Sequence, residues 1–296
     1  MPADYFIRAM REEDVADVEH LTDEAFYADD LARRRADDPD PSRRAPARAE
    51  AWQQRLAHML AHDPAGCFVA EDRGGLIGAV ASLKRDLTWV LATYAVRPDV
   101  QGRGVGTQLF EAASGYGRGC LRAMVSASEH PGAVRRYRLA GFSLHPMVYL
   151  RGPVPRAALP VVERVRDGSA ADIDLMNSVD RQVRDAAHGV DHTLMTKTHR
   201  LVVADRGTGS GYAYLEDGGG PYLLAATNRR TATDLLWETL AATSPDAPAV
   251  VGHLTAVNEW AVDVGMAARM ELRTHGYLAL RHLKPPVPYL PSGHFL

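Results

Sequence analysis

The sequence lacks any apolar run long enough to cross a membrane, and it contains only two cysteines. A membrane-spanning helix needs about 20 consecutive apolar residues, so we expect no membrane partner. Cys67 and Cys120 are far apart and do not have the close spacing of metal ligands, so we expect two packing residues in a reduced compartment and no metal. The N-terminus shows no basic stretch followed by an apolar run. No signal peptide is therefore expected, and a cytoplasmic location is predicted.

An excess of charge of one sign is also missing. The chain has 34 lysines and arginines against 37 aspartates and glutamates, a formal net charge of −3. This balance argues against nucleic acid as a partner. The 296 residues, 46% hydrophobic and 24% charged, are typical of an ordinary globular protein with two domains. Nothing in the sequence specifies an oligomeric state.

The two halves of the chain repeat one pattern. Ile7–Leu21 and Glu163–Met176 each indicate a short strand, a polar turn and an amphipathic helix, with Asp14 and Ser169 placed as helix caps. Two apolar runs separated by Asp-Arg-Gly then follow in both halves, which is typical of a β-hairpin. The runs are Cys67–Gly74 with Leu76–Ala81, and Leu201–Gly207 with Gly211–Leu215. The predicted fold is mixed α/β (α+β), with two tandem domains that each contain a central mixed sheet flanked by helices.

A proline-rich segment separates the repeats. Arg151–Pro160 contains three prolines, which cannot donate to a sheet ladder and which resist helix formation. We therefore predict a first domain over residues 1–150, a linker over 151–160 and a second domain over 161–296. Another irregular segment, Tyr27–Ala49, is rich in Arg, Asp and Pro. It is interpreted either as a solvated loop or as a lid over a substrate site.

The segment with the strongest chemical signal begins at Thr88. Thr88–Val96 is rich in β-branched and aromatic residues, which predicts a strand, and Pro98 ends it. The glycine-rich turn Gln101–Thr107 follows, and apolar residues then recur at helical spacing. The first N–H groups of such a helix have no partner within it and its dipole favours negative charge, so this turn predicts an anion site. Glycine lets the backbone approach a diphosphate, and Arg103 adds a positive charge.

Two other phosphate-binding loops do not fit this segment. A P-loop ends in Gly-Lys-Ser/Thr, but no lysine follows Gly106. The dinucleotide-binding fingerprint needs Gly-x-Gly-x-x-Gly, and the spacing of Gly102, Gly104 and Gly106 is different. A tight turn without a ligand is the simpler alternative.

The motif resembles that of the GNAT superfamily of acetyltransferases, which is Arg/Gln-x-x-Gly-x-Gly/Ala after a strand ending in Val-x-Pro. Gln101, Gly104 and Gly106 match it, Val96–Pro98 matches the strand end, and Ala133–Phe142 resembles a later helix and strand of the family. The resemblance implies a GNAT fold and acetyl-CoA as cosubstrate, with its pyrophosphate on the loop amides and its pantetheine at the strand end. The cofactor-binding residues that it implies are Val96, Gln101, Gly102, Arg103, Gly104, Val105, Gly106 and Thr107.

The resemblance also places a catalytic residue. Tyr137 occupies the position of the family's tyrosine, and a phenol can protonate a leaving thiolate. The alternative is a tyrosine that only packs beside the cofactor. Many members have an asparagine four residues earlier, where this chain has Ala133. Ser128 is a candidate replacement, although a capping serine is the more common explanation.

No general base is predicted. The family often uses a glutamate on the cofactor strand, but Leu91–Tyr94 contains no carboxylate. Asp86, Glu129 and His130 lie near the relevant strands in sequence, and each is also explained as a surface or turn residue.

The second repeat lacks both signals. Ala226–Ala241 keeps the helical pattern without the glycines, and Asn258–Met266 has no tyrosine. Arg229 and Arg230 are interpreted as solvated side chains or as a residual anion site. This half resembles the degenerate second module of tandem GNAT proteins, for which we expect a structural role.

The sequence thus predicts an acetyl-CoA-dependent N-acetyltransferase that transfers an acetyl group to an amine of a small molecule or peptide by direct attack in a ternary complex. The alternative is a non-catalytic acyl-CoA-binding sensor or interaction module.

Overall fold

The secondary structure is distributed over two compact units, which we describe separately. The structure is a computed structural model and describes residues 4–36, 38, 40–244 and 247–296. The first unit contains the residues up to Lys84 together with Trp89–Cys120. The second contains Arg85–Thr88 and the residues from Leu121 onward. Among the described helices, none combines the length and the apolar character that a membrane crossing requires.

Helices and a four-strand run of sheet make up the first unit. The strands are β1 (Tyr5–Ala9), β2 (Cys67–Asp72), β3 (Gly75–Arg85) and β4 (Thr88–Val96), and the helices are α1 (Val15–Arg33), α2 (Pro46–His62) and α3 (Val105–Tyr116). The strands lie in the order β1-β2-β3-β4. The predicted hairpin of β2 and β3 is confirmed by antiparallel pairing from Cys67↔Ala81 to Asp72↔Gly75.

The second unit contains the rest of the chain. Its first strands and helices are β5 (Arg122–Ala127), α4 (Pro131–Leu139), β6 (Ser143–Gly152), β7 (Arg166–Asp167), α5 (Ile173–Arg184) and α6 (Asp191–Thr198). They are followed by β8 (Leu201–Arg206), β9 (Gly209–Leu215), β10 (Pro221–Ala226), α7 (Arg229–Ala241), β11 (Ala249–Thr255), α8 (Glu259–Ala267), β12 (Glu271–Arg281) and β13 (Tyr289–Leu290). The predicted mixed α/β class is confirmed.

Two runs of strands organise this second unit. One has the order β5-β12-β6-β11 and the other β13-β10-β9-β8-β7. Strand β12, from the second repeat, lies between β5 and β6 of the first and pairs antiparallel with both. The boundaries of the compact units therefore differ from the predicted domain boundaries at residues 150 and 161. The two domains, which were predicted from the sequence repeats, stay a prediction.

The repeats share a corner at the start of their first long helix. In the first repeat, the guanidinium of Arg8 contacts the carboxylate of Asp14 at 2.7 Å, and Asp14 accepts the backbone N–H of Arg11. In the second, Arg166 contacts Asp172 at 2.5 Å, and Asp172 accepts the N–H of Ser169. The expected cap at Ser169 is present, since its hydroxyl accepts from the backbone of Ala171. At Asp14 the expectation was wrong, because its carboxylate bonds backwards to the preceding turn and forms no side-chain cap.

The two irregular segments are held by specific contacts. In the predicted linker, Val154 is buried in the second unit's core, and Arg156 donates to the carbonyl oxygen of Ala241 at 2.5 Å. In the loop between α1 and α2, Arg44 pairs with Glu19 at 2.8 Å. Positions 37 and 39 of that loop lie outside the described residues.

Candidate functional site

Strand β4 leads directly into the predicted anion-binding loop. The strand spans Thr88–Val96, as the sequence predicts, and a short turn at Pro98–Val100 follows with Val100 buried. The side-chain amide of Gln101 then donates to the carbonyl oxygen of Val96 at 3.0 Å. Gln101 therefore ties the loop to the end of the strand.

Two glycines of the loop have backbone conformations that favour glycine. Gly102 has a φ of 80° and Gly104 a φ of 91°. A Cβ added to Gly102 would meet nothing within 4 Å, and one added to Gly104 would meet only the hydroxyl of Tyr5, at 3.7 Å. The conformation, and not crowding by the protein, therefore requires glycine. The space over the loop is open to a ligand.

The start of α3 is held firmly beneath this space. Tyr94 donates its hydroxyl hydrogen to the carbonyl oxygen of Gly106 at 2.7 Å, and Val105 is buried. The first bonds of the helix run from the amides of Thr107 and Gln108 to the carbonyl oxygen of Gly104. The amides of Val105 and Gly106 come before these first helical hydrogen bonds. They are the N–H groups that a helix N-terminus offers to an anion.

Positive charge lies beside the loop. Arg97 pairs with Asp99 at 2.7 Å, and this hydrogen bond lowers the pKa of the Asp99 carboxyl. Arg103 donates only to the backbone carbonyl of Asp99, at 3.3 Å, and forms no ion pair with a described carboxylate. Its charge is therefore available to a ligand. Loop amides, open space and Arg103 together fit a diphosphate group.

The predicted acid, Tyr137, lies on α4 in the second unit, whereas the loop belongs to the first. Its side chain is buried and packs edge-to-face against Phe142, with ring centroids 6.1 Å apart. The helix begins at His130, whose ring accepts the amide hydrogen of Ala133 at 3.3 Å. Ser128 accepts the backbone N–H of His130. This turn contact is the ordinary role that the sequence already offered for Ser128.

The corresponding helix of the second repeat begins differently. The side chain of Asn228 accepts the amide hydrogen of Thr231 at 2.9 Å and so occupies the N-terminus of α7. Arg229 and Arg230 are exposed. An asparagine cap thus takes the place that Gly104 leaves open in the first repeat.

Comparisons with known proteins agree with this geometry. Residues 20–142, which include the glycine loop and Tyr137, match the sequence profile of the acetyltransferase (GNAT) family. This segment of the chain is therefore similar in sequence to a GNAT acetyltransferase domain. No curated protein is detectably similar to the chain.

Solved structures share the fold along almost the whole chain. A Pyrococcus horikoshii protein classed as an acetyltransferase has a TM-score of 0.71 at 17% identity, over 95% of this chain and 90% of its own. A GCN5-related N-acetyltransferase from Sphaerobacter thermophilus has a TM-score of 0.59 at 15% identity, covering 97% and 98%. A GCN5-related N-acetyltransferase from Kribbella flavida has a TM-score of 0.57 at 14% identity, over 93% of this chain and 71% of its own. At these identities the similarity shows the fold alone.

A buried polar network in the second unit was missed by the sequence reasoning, which had no local signal for it. Asp180 on α5 lies 2.7 Å from Nδ1 of His188, 3.0 Å from Nε2 of His192 and 2.5 Å from the hydroxyl of Tyr212. Among the described residues, the side chains of Asp180, His188 and His192 form a group whose ligand atoms are close enough together to hold a metal ion. The carboxylate of Asp180 already accepts hydrogen bonds from His188, His192 and Tyr212, so a divalent cation would have to displace them.

The network keeps the carboxylate of Asp180 charged and the imidazole of His188 neutral. Burial alone would raise the pKa of Asp180, but His188 and His192 outweigh it and hold that pKa far below the usual range. Burial lowers the pKa of His188 to about 4, although Asp180 opposes this shift. Arg184, which is also fully buried, further lowers the pKa of His188 by its positive charge.

Acid is therefore expected to destabilise the second unit. An unfolded histidine takes up a proton near pH 6.5, whereas folded His188 stays neutral down to about pH 4. The unfolded state binds more protons in this window, so the free energy of unfolding falls as the pH falls, by roughly 3 kcal/mol. Urea unfolding at pH 7, 5.5 and 4 measures it. His188→Gln should be less stable at pH 7 yet lose this part of the pH dependence, and stability that stays constant down to pH 4.5 would contradict the assignment.

Proposed function

We propose that the chain is an acetyl-CoA-dependent N-acetyltransferase that acetylates an amine of a small molecule or peptide. The observation that carries this proposal is the open glycine loop between β4 and α3, in which Gly102 and Gly104 have positive φ and Arg103 has no carboxylate partner among the described residues. The match of residues 20–142 to the GNAT family supports it.

Each residue of the loop has a defined role in this proposal. Acetyl-CoA supplies an activated acetyl thioester. The amides of Val105 and Gly106 and the guanidinium of Arg103 would bind its pyrophosphate, as a helix N-terminus does for anions. Backbone at the end of β4, near Val96, would bind the pantetheine, and an N–H donor there would stabilise charge on the carbonyl oxygen by ~3–4 kcal/mol.

Tyr137 would protonate the leaving thiolate. We also propose that the second repeat is a degenerate GNAT module without a cofactor site, because Asn228 caps the helix start that Gly104 leaves open in the first repeat. A ternary complex with direct attack by the amine needs no covalent enzyme intermediate and no metal.

Release of free thiol from acetyl-CoA tests the proposed function. The acceptor panel would contain an aminoglycoside, an amino acid, a polyamine and a lysine peptide. Amine-dependent thiol release is expected with at least one class. Acetyl-CoA binding measured by titration calorimetry, without thiol release for any acceptor, would favour the non-catalytic acyl-CoA-binding module.

Replacing Tyr137 with phenylalanine is expected to lower kcat by roughly 10²-fold or more and to change the Kd of acetyl-CoA only slightly. A proton donor in the transition state contributes about 10²–10⁴-fold to rate, whereas the buried ring keeps its packing against Phe142. Steady-state kinetics and titration calorimetry measure the two quantities. Tyr222→Phe, which removes a buried hydroxyl from β10, is the matched control. Equal losses in rate and in binding would make Tyr137 a packing residue.

A further inference from the structure

Strands β11 and β12 of the second unit both break their regular pairing with β6 at a histidine. The register of β11 shifts between Val251 and Leu254, and His253 there has a φ of 58°. The register of β12 shifts between Thr274 and Tyr277, where His275 precedes Gly276, whose φ is 52°. Bulges and left-handed non-glycine residues are costly, and they recur where a side chain must be re-aimed at a functional site.

The two irregularities bring the imidazoles together. The rings of His253 and His275 meet edge-to-face with centroids 5.3 Å apart. Tyr149 of β6 also packs edge-to-face against His275, with ring centroids 5.7 Å apart. Three strands therefore contribute to one aromatic cluster.

His253 is enclosed by protein at both ring nitrogens. Its Nδ1 lies 3.2 Å from the hydroxyl of Ser126 on β5. The backbone of Gly293 covers its other edge, because a Cβ built there would lie 2.7 Å from Nε2. Burial, and then the neighbouring His275, lowers the pKa of His253 to about 3, so it stays neutral. His253 is thus fixed in place and has no nitrogen to offer a substrate.

His275 differs from His253 in its exposure and in its hydrogen bonding. The residue is exposed, and no hydrogen bond from its ring to a described residue holds it. Desolvation of the ring lowers the pKa of His275, and the carboxylate of Glu129 opposes that shift. The charged and titratable groups that face it are Glu129 from the loop after β5, His253 from β11 and Tyr149 from β6. At neutral pH it is an accessible, neutral imidazole with a free acceptor nitrogen.

The position of His275 links it to the helix that carries Tyr137. A Cβ on Gly276 would lie 2.1 Å from the carbonyl oxygen of Ala127 and 3.3 Å from Cα of Ser128, so the bulge of β12 presses on the end of β5. The chain then passes through Glu129 and enters α4 at Pro131. The bulge that carries His275 therefore lies against the segment that leads into the helix of Tyr137.

We propose that His275 is the general base that receives the proton of the acceptor amine, with His253 and Ser126 as positioning residues. The proposal rests on the proposed acetyltransferase function. In the balanced step the N–C bond forms and the C–S bond breaks. One N–H proton passes to His275, and the thiolate takes one proton from Tyr137. Solvent then reprotonates the tyrosine and deprotonates the imidazolium, so that amine and thioester become amide and thiol.

The test compares pH–rate profiles for the amine of the panel that releases thiol fastest. In the wild type, kcat/KM should fall in acid as His275 takes up a proton. His275→Ala should lose roughly 10²-fold or more in kcat, lack this acid limb and regain turnover with added imidazole. Glu129→Gln should move the acid limb to lower pH, because the carboxylate that raises the pKa of His275 is removed. His253→Gln should lower kcat while retaining the limb.

Controls separate this proposal from the function on which it rests. His282→Asn is the control. It changes an exposed histidine that directly follows β12 and has a φ of 53°, and the variant should behave as the wild type. Urea unfolding of each variant shows that its second unit is folded, and His275→Gln replaces the alanine variant if that one is not. The base assignment alone is overturned if the wild type acetylates an amine and the His275 variant has a kcat within threefold of it. The same holds if the variant keeps the acid limb of the pH–rate profile. A wild type that acetylates no amine overturns both.

Discussion

Replacing Gly104 with glutamate is expected to raise the Kd of acetyl-CoA by about 100-fold or more. The new carboxylate would enter the open space over the loop, where a Cβ meets only the hydroxyl of Tyr5. It would repel the diphosphate and would accept, in its place, the hydrogen bonds from the amides at the start of α3. Loss of two charge-assisted hydrogen bonds at about 1.5 kcal/mol each corresponds to this factor. Titration calorimetry with acetyl-CoA measures it.

The chain offers a matched control for this substitution. Gly104 has a φ of 91°, so glutamate there also strains the backbone. Gly119, in the turn after α3, has a φ of 85° and open space around its Cβ position. Gly119→Glu therefore adds the same side chain and comparable strain away from the loop. Unchanged affinity in Gly104→Glu, or equal losses in both variants, would remove the cofactor assignment.

Local signals explain why this part of the molecule could be predicted. The β-branched residues of Thr88–Val96, the proline after them and the glycines of the turn each act within a few residues. Strand β4 has the predicted bounds, and α3 begins within the glycine-rich turn, as the helical spacing from Val105 predicts. The same holds for the hairpins at Asp-Arg-Gly in both halves. Sequence similarity to a family motif then added the cofactor role, which stays a prediction.

Pairing between distant strands was beyond the reach of the sequence. Nothing local in Glu271–Arg281 shows that this strand lies between β5 and β6 of the other repeat. His253 and His275 come together only because of that arrangement, so neither was a candidate base. Glu129, which was a candidate, acts on His275 by its charge. The carboxylate that the family often uses is absent from β4, and the base that we propose is an imidazole on β12.

The network around Asp180 was missed for a related reason. Its side chains come from α5, the segment before α6, α6 itself and β9, and the tail residue Tyr289 joins it through His188. A histidine pair four residues apart is a weak signal without the aspartate that joins it. The tail residues Tyr289, Leu290 and Phe295 are all buried.

Asp180→Asn is expected to destabilise the second unit by about 3–5 kcal/mol, the usual cost of removing one partner from a buried ionic network. The amide keeps the size of the carboxylate, yet it cannot accept all of the hydrogen bonds that reach Asp180 from His188, His192 and Tyr212. This is a large fraction of the 5–15 kcal/mol that stabilises a typical domain.

Urea unfolding at pH 7 measures this loss, and hydrogen exchange assigns it to a unit. Exchange should accelerate in α5, α6, β8 and β9 while the segment around β4 and α3 keeps its protection. Asp174→Asn is the control, because it makes the same change at an exposed position of the same helix and should cost less than about 1 kcal/mol. If Asp180→Asn is as stable as that control, the carboxylate is not the centre of the network. If a divalent cation raises the stability of the wild type but not of Asp180→Asn, the cluster binds metal, and a network held by hydrogen bonds alone is the wrong explanation for it.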